Sequence, residues 1–327
     1  MTVPSHVAVV GGGRMGAGIA HAFILAGSHV TVVEQNDAAA LVAHERIATL
    51  LARTAERAAQ QATEHAAEHA PQHHPRHDAA PHVPADGSVA AGFASNAADG
   101  SGTTTVATKA GEGFETSADM HALAGAQLVI EAVPESRALK AVALARVNEV
   151  VARTAVIATN TSSISIDDLA GAIDNPQRFV GMHFFNPVPS SSLVEIVRGA
   201  HTAPDVIARA QTWVDDLGKT AITVANAPGF ASSRLGVALA LEAMRMLDEG
   251  VASAADIDTA MQLGYRHPTG PLRTTDIVGL DVRLDIAEEL HRAYGERFAP
   301  PEILRRLVAE GHLGRKTGRG FYEWSTE

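Results

Sequence analysis

The stretch that most restricts the fold is the first one. His6-Val7-Ala8-Val9-Val10 is a continuous apolar run, followed at once by Gly11-Gly12-Gly13-Arg14-Met15-Gly16 and a helical pattern from Ala17 to Ala26. A strand without polar alternation is covered on both faces, which places it in a parallel sheet flanked by helices. The glycines are spaced GxGxxG between that strand and that helix. Gly11 permits the tight turn, Gly13 lets the backbone approach a pyrophosphate, and Gly16 allows the helix to lie close on the strand, with Arg14 and Met15 completing the turn. The next run, His29-Val30-Thr31-Val32-Val33, ends in Glu34, an acid at about the twenty-residue distance suited to ribose hydroxyls. Gln35 and Asn36 follow, with no arginine to receive a 2′-phosphate, so the pattern favours NAD over NADP.

Further along, Leu128-Val129-Ile130-Glu131-Ala132-Val133-Pro134-Glu135 reads as a strand with a polar end, Ser136 to Ala152 as a helix, and Ala155 to Thr159 as another strand. That strand runs into Asn160-Thr161-Ser162-Ser163, small hydrogen-bonding residues at the carboxyl end where ligands sit in open α/β sheets. Taken alone, Ser162 is either a ligand contact or the cap of a helix over 165–169. Next, the apolar run Arg178 to Met182 delivers His183, and Leu193-Val194-Glu195-Ile196-Val197 carries one carboxylate in its middle. The Pro-rich turn Asn186 to Ser191 lies between them, so a strand and its return strand bring His183 and Glu195 face to face. A carboxylate beside an imidazole fixes its tautomer and stabilises the imidazolium. The competing reading is a satisfied core histidine and an edge-strand charge.

A helix is expected from Pro204 to Leu217, a strand from Thr220 to Val224, and a joint at Pro228-Gly229-Phe230. From there to Leu307 the pattern is helical throughout. The expected organisation is therefore α/β: a doubly wound nucleotide-binding domain over 1–225, followed by an all-α domain over 226–327. The amphipathic helix starting at Asp37 is expected to end near Gln61. From about 63 to 113 the chain turns Pro-, Gly- and His-rich and loses its large apolar residues. Such a segment cannot bury enough surface to offset its ordering entropy, and is expected to be disordered or poorly packed. Its histidines include an i, i+4 pattern suited to Ni or Zn, but Pro71 and Pro75 interrupt the helix it needs, so no metal site is expected.

The 327 residues include no cysteine, which excludes disulfides and thiolate chemistry and fits a reducing compartment. A net charge of −11 argues against nucleic acid or an anionic membrane as partner. No apolar run approaches the roughly 20 residues needed to span a bilayer, and strand-like sequence begins right after Pro4, leaving no room for a signal peptide. A cytoplasmic location is the expectation.

Together these stretches resemble the L-3-hydroxyacyl-CoA dehydrogenases, especially the short 3-hydroxybutyryl-CoA dehydrogenases. The matching segments are Val9–Phe23, Leu128–Glu135, Ala158–Ile166, Gly181–Val188, Leu193–Gly199 and Ala227–Phe230, then Asp248–Leu272 and Leu313–Tyr322. The resemblance covers nearly the whole chain outside the His-rich stretch. It implies a Rossmann-type NAD-binding domain, a helical domain forming most of a homodimer interface, and reversible hydride transfer between carbon 3 of an acyl-CoA and the nicotinamide. It further implies that His183 is the general base, Glu195 its orienting partner and Ser162 the contact to the reacting oxygen. Glu135, Lys140, Asn160 and Asn186 fall at cofactor-proximal positions of the family's motifs. The family's substrate-contacting asparagine after PGF is matched here by Ser233. Its CoA-contacting lysines have no clear counterpart; Lys109 is the one lysine of that region, and Arg53, Arg57 and Arg76 are the candidate substitutes. The carrier is thus CoA, a carrier protein or none, and a non-catalytic NAD(H)-binding protein is the reading from another class.

Overall fold

The computed structural model describes residues 3–68 and 113–325. An eight-stranded sheet carries the order β3-β2-β1-β4-β5-β6-β7-β8. Its strands are β1 (His6–Val10), β2 (His29–Val33), β3 (Phe114–Ser117), β4 (Leu128–Glu131), β5 (Val156–Thr159), β6 (Phe179–Phe184), β7 (Leu193–Arg198) and β8 (Thr220–Ala225). All neighbours are parallel except β6 and β7. The strand order reverses beside β1, between β2 on one side and β4 on the other, which opens a crevice at the strands' carboxyl ends.

The apolar runs explain the layering. In β1, Val7 and Val9 enter one buried cluster while Ala8 and Val10 enter another. The first cluster lies under α1 (Arg14–Leu25), α2 (Asp37–Glu68) and α5 (Pro204–Asp216); the second lies under α3 (Arg137–Val150) and α4 (Ile166–Ala170). A strand buried on both faces has no use for polar alternation, and that is what the sequence displays. A third core belongs to the C-terminal helices α6 (Ser232–Asp248), α7 (Ala254–Thr259), α8 (Pro271–Val278), α9 (Leu280–Tyr294) and α10 (Glu302–Ala309).

α2 does not stop near Gln61 but continues to Glu68. Residues 62–68 contain no glycine or proline, and Pro71 is the first residue able to break the helix. The expectation of disorder, the histidine pattern and the residues Arg76 and Lys109 lie mostly or wholly in 69–112, outside the described residues. α4 is capped by Ser165, whose hydroxyl accepts from the Asp168 N–H at 3.3 Å, so Ser162 is not its cap.

Register places the histidine. Thr159 at the end of β5 lies beside Gly181 of β6, so His183 projects beyond β5, next to the turn 160–163. In the antiparallel pair His183 stands opposite Glu195. Alternation sends Val180, Met182 and Phe184 to the first cluster, which leaves His183 on the other face, with Phe179 and Phe230. The entry into α6 bends through two consecutive left-handed residues, Gly229 (φ 73°) and Phe230 (φ 50°). A phenylalanine there is unfavourable by about 1–2 kcal/mol; its ring, buried 5.8 Å from that of His183, offsets this by packing.

Candidate active site

The glycine turn is built to be approached. Gly11 adopts φ 96°, and a Cβ on Gly16 would stand 1.8 Å from the Gly11 carbonyl oxygen, so helix and turn meet at backbone contact. Gly13 is exposed, and a Cβ there would meet nothing within 4 Å. Arg14 is exposed beside it and Met15 half-buried. The Glu34 Oε1 accepts the Gly12 N–H at 2.7 Å, which brings the acid from the tip of β2 into the turn. Arg46 donates to the Gly12 carbonyl at 2.6 Å and braces the turn from α2. An open turn of backbone N–H groups at a helix N-terminus, with a carboxylate at its side, fits a pyrophosphate and its ribose.

Across the crevice the sequence-predicted trio meets. His183 is 5% exposed and Glu195 fully buried. The imidazole Nδ1 lies 2.7 Å from Glu195 Oε2, and Nε2 lies 3.1 Å from Ser162 Oγ. Glu195 is held from a second side as well. Its Oε1 accepts the N–H groups of Ala231 (3.2 Å) and Ser232 (2.9 Å), and its Oε2 accepts the Ser232 hydroxyl at 2.7 Å. Burial works against the ionised form, but hydrogen bonds from His183 and Ser232 outweigh it, and the carboxyl titrates below its usual range. An ionised carboxylate only accepts, so Nδ1 carries the proton and Nε2 presents a lone pair toward Ser162. Such a ring can take a proton at Nε2 and be stabilised as imidazolium from behind.

The turn bearing Ser162 hangs from an ionic chain. Glu131 and Lys140 are both fully buried and paired at 2.9 Å. Glu131 also accepts from the Val133 N–H at 2.7 Å and from the Thr159 hydroxyl at 2.5 Å. Burial raises its pKa, and Lys140 and these donors pull the other way. Lys140 reaches the Asn160 carbonyl at 3.1 Å and lies 3.4 Å from the Glu135 carboxylate. Glu135 in turn accepts from the Thr161 hydroxyl at 2.5 Å and the Ser162 N–H at 2.9 Å. The Asn160 side chain receives the Phe184 N–H at 2.9 Å, tying this turn to the end of β6.

The structure thus gathers Ser162, His183, Glu195, Glu135, Lys140 and Asn160 in one neighbourhood, and Gly11, Gly13, Gly16 and Glu34 in the glycine turn. Asn186 is exposed in the turn after β6, and Ser233 is half-buried on α6; neither side chain is hydrogen-bonded to any described residue. Sequence reasoning missed Glu131 and Ser232. Glu131 carried a signal, a lone acid ending a buried strand with a lysine nine positions on. Ser232 carried none, because its neighbour Ser233 took the family's position. Among the described residues no group of three or more His, Asp or Glu side chains could hold a metal ion, and no helix is long and apolar enough to cross a membrane.

A carboxyl held below its ordinary range stabilises the fold above that range, and the contribution is lost as pH falls through the folded-state value. Ser232→Ala removes one donor from Glu195 and lets its pKa rise. The variant is expected to lose about 1–3 kcal/mol at neutral pH and to unfold at higher pH than the parent in an acid titration followed by circular dichroism. An unchanged acid limb would contradict the role given to this hydroxyl.

The 3-hydroxyacyl-CoA dehydrogenase NAD-binding domain model matches residues 6–86 and 76–227, and the family's C-terminal domain model matches 229–324. A 3-hydroxybutyryl-CoA dehydrogenase of Mycobacterium tuberculosis is 37% identical over 97% of this chain and 98% of that protein. A probable 3-hydroxybutyryl-CoA dehydrogenase of Bacillus subtilis is 33% identical over 97% and 96%. The crystal structure of (S)-3-hydroxybutyryl-CoA dehydrogenase from Ralstonia eutropha superposes with a TM-score of 0.81 at 34% identity, covering 99% of this chain and 100% of that one. The doubly wound sheet with its open glycine turn, and these full-length matches, lead to one conclusion: the chain belongs to the 3-hydroxyacyl-CoA dehydrogenase family and is an NAD-dependent oxidoreductase.

Proposed function

We propose that this enzyme interconverts an L-3-hydroxyacyl-CoA and the corresponding 3-oxoacyl-CoA, with His183 as the general base. The observation that carries the reading is the line Ser162 Oγ, His183 Nε2, His183 Nδ1, Glu195 Oε2, with successive contacts of 3.1 Å and 2.7 Å. In oxidation the 3-hydroxyl proton passes to His183 Nε2 as the C3–H bond breaks and the C3–O bond becomes a carbonyl. NAD, when bound, supplies the acceptor for the hydrogen and electron pair leaving carbon 3. Glu195 keeps the ring in the tautomer that accepts, and steadies the charge that forms. Ser162 positions the reacting oxygen, and Ser233 stands where the family places a second group on that oxygen.

The residues holding the cofactor are Gly11, Gly13, Arg14, Met15, Gly16 and Glu34 at the turn, with Glu135, Asn160 and Asn186 on the nicotinamide side and the fully buried Lys140 supporting Glu135 and Asn160 from behind. Coenzyme A as the carrier is supported by the names of the full-length relatives and by exposed Arg53 and Arg57 along α2, available to phosphates. A homodimer through the helical domain is supported by large apolar side chains open to solvent there, Leu235, Leu263 and Tyr265 among them. A cytoplasmic location and a place in fatty-acid oxidation complete the reading.

The test is oxidation of NADH by acetoacetyl-CoA, with free acetoacetate and NADPH as controls. Turnover is expected with NADH and the CoA ester. His183→Ala is expected to lower kcat by about 10²- to 10⁴-fold with NADH binding nearly unchanged. Loss of NADH binding, or persistent turnover, would contradict this layout. Ser233→Asn is expected to keep or raise turnover of acetoacetyl-CoA; a folded variant without activity would show that the serine belongs to a differently shaped pocket.

A further inference from the structure

Arg283 is a nearly buried charge that no described residue neutralises. It projects from α9 with 8% of its surface exposed, its Nε is sealed from solvent without an acceptor, and its guanidinium makes no hydrogen bond or ion pair with any described residue. Burial alone pulls its pKa down to about 10. Arg178, also buried and with its Nε likewise without an acceptor, differs at its Nη atoms, which donate to the Ala152 carbonyl and to Asn148 Oδ1, both at 2.7 Å. A buried cation left unpaired is strongly unfavourable and calls for an anion.

The position of Arg283 indicates which anion. A Cβ on Gly236 would stand 3.3 Å from Arg283 Nη1 and 3.8 Å from Nη2, so the guanidinium occupies the space left by the missing side chain. On α6, Gly236 lies four residues after Ser232 and three after Ser233, on the face between them. Ser232 is bound to Glu195 at 2.7 Å. The helix face that begins at the His183–Glu195 pair therefore reaches Arg283 one turn, ~5.4 Å, further on. The other end of α9 is fixed to the same joint. A Cβ on Gly229 would lie 2.9 Å from Leu290 Cδ2, and Arg234 donates to the Tyr294 hydroxyl at 3.1 Å. The charge is therefore held one turn along α6 from Ser232 and Ser233.

We infer that Arg283 sets substrate specificity by binding a carboxylate at the far end of the acyl chain, so that the preferred substrate is the thioester of a 3-hydroxy dicarboxylic acid. The inference rests on the hydroxyacyl dehydrogenase reading above. The planar guanidinium pairs with a carboxylate through two parallel hydrogen bonds. The distal carboxylate takes no part in the bond changes at carbon 3; it fixes which chain is held there.

The experiment compares 3-oxoadipyl-CoA with 3-oxohexanoyl-CoA, equal in chain length and different only in the terminal carboxylate, in the full-length enzyme with NADH. The parent enzyme is expected to favour the carboxylate in kcat/KM by between about 10-fold and 100-fold. Arg283→Leu should bring that ratio close to one, and Arg283→Lys should restore part of it. Removal of an unpaired buried charge should also leave the thermal midpoint of Arg283→Leu unchanged or raised. Turnover of the neutral ester with no preference for the carboxylate would overturn the inference and leave the dehydrogenase reading intact. Turnover of neither would overturn both. A lowered thermal midpoint, or a smaller particle by sedimentation for Arg283→Leu, would assign the guanidinium a partner within the protein and refute the inference.

Discussion

The Glu195 carboxylate is the interaction on which the site depends. Strand β7 buries it completely and sets it opposite His183. The start of α6 supplies two N–H groups and a hydroxyl to the same carboxylate. A buried charge with so many donors stays ionised where burial alone would protonate it. The consequence runs in two directions. Toward the sheet, the carboxylate dictates which imidazole nitrogen carries the proton. Toward the helical region, it ties the first turn of α6, and with it the face carrying Ser233 and Gly236, to the strand that bears the histidine.

A second set of buried charges supports the opposite wall. The Glu131–Lys140 pair ends β4, and through Glu135 it fixes the backbone of the turn that carries Ser162. A fully buried ion pair is weak evidence for stability, since its desolvation costs about what its attraction returns. Its value here is position. The lysine cannot leave Glu131 without stranding a charge, so Glu135, Thr161 and Ser162 are held at one distance from His183. The ordering of the site thus rests on two buried carboxylates, Glu131 at the end of β4 facing a lysine and Glu195 within β7 facing an imidazole.

Much of this was legible in the chain. The apolar run His6–Val10 before the glycines could only be a strand covered on both faces, and the family motifs marked His183, Glu195 and Ser162. What the sequence did not disclose was partnership at long range. Ser232 and Glu195 are separated by 37 positions, and no periodicity links a helix-start hydroxyl to a strand carboxylate. Glu131 read as the polar end of a strand, because its lysine lies on the following helix and meets it only after the crossover has folded back. Arg283 sits in an amphipathic helix where an arginine passes as a surface residue; only the packing against Gly236 reveals that it is inside. The end of α2 was misjudged for a local reason, since composition shifts before the first helix-breaking residue does.

The central claim is that Glu195, held from both sides, keeps the His183 proton on Nδ1 and leaves Nε2 as the free base. Long-range nitrogen–proton correlation NMR on protein labelled at histidine reads this directly. Above the pH at which the ring loses its charge, the His183 signals are predicted to be those of the Nδ1–H tautomer in the parent, and to lose that bias in Glu195→Gln. A neutral ring with its proton on Nε2 in the parent enzyme would contradict the account.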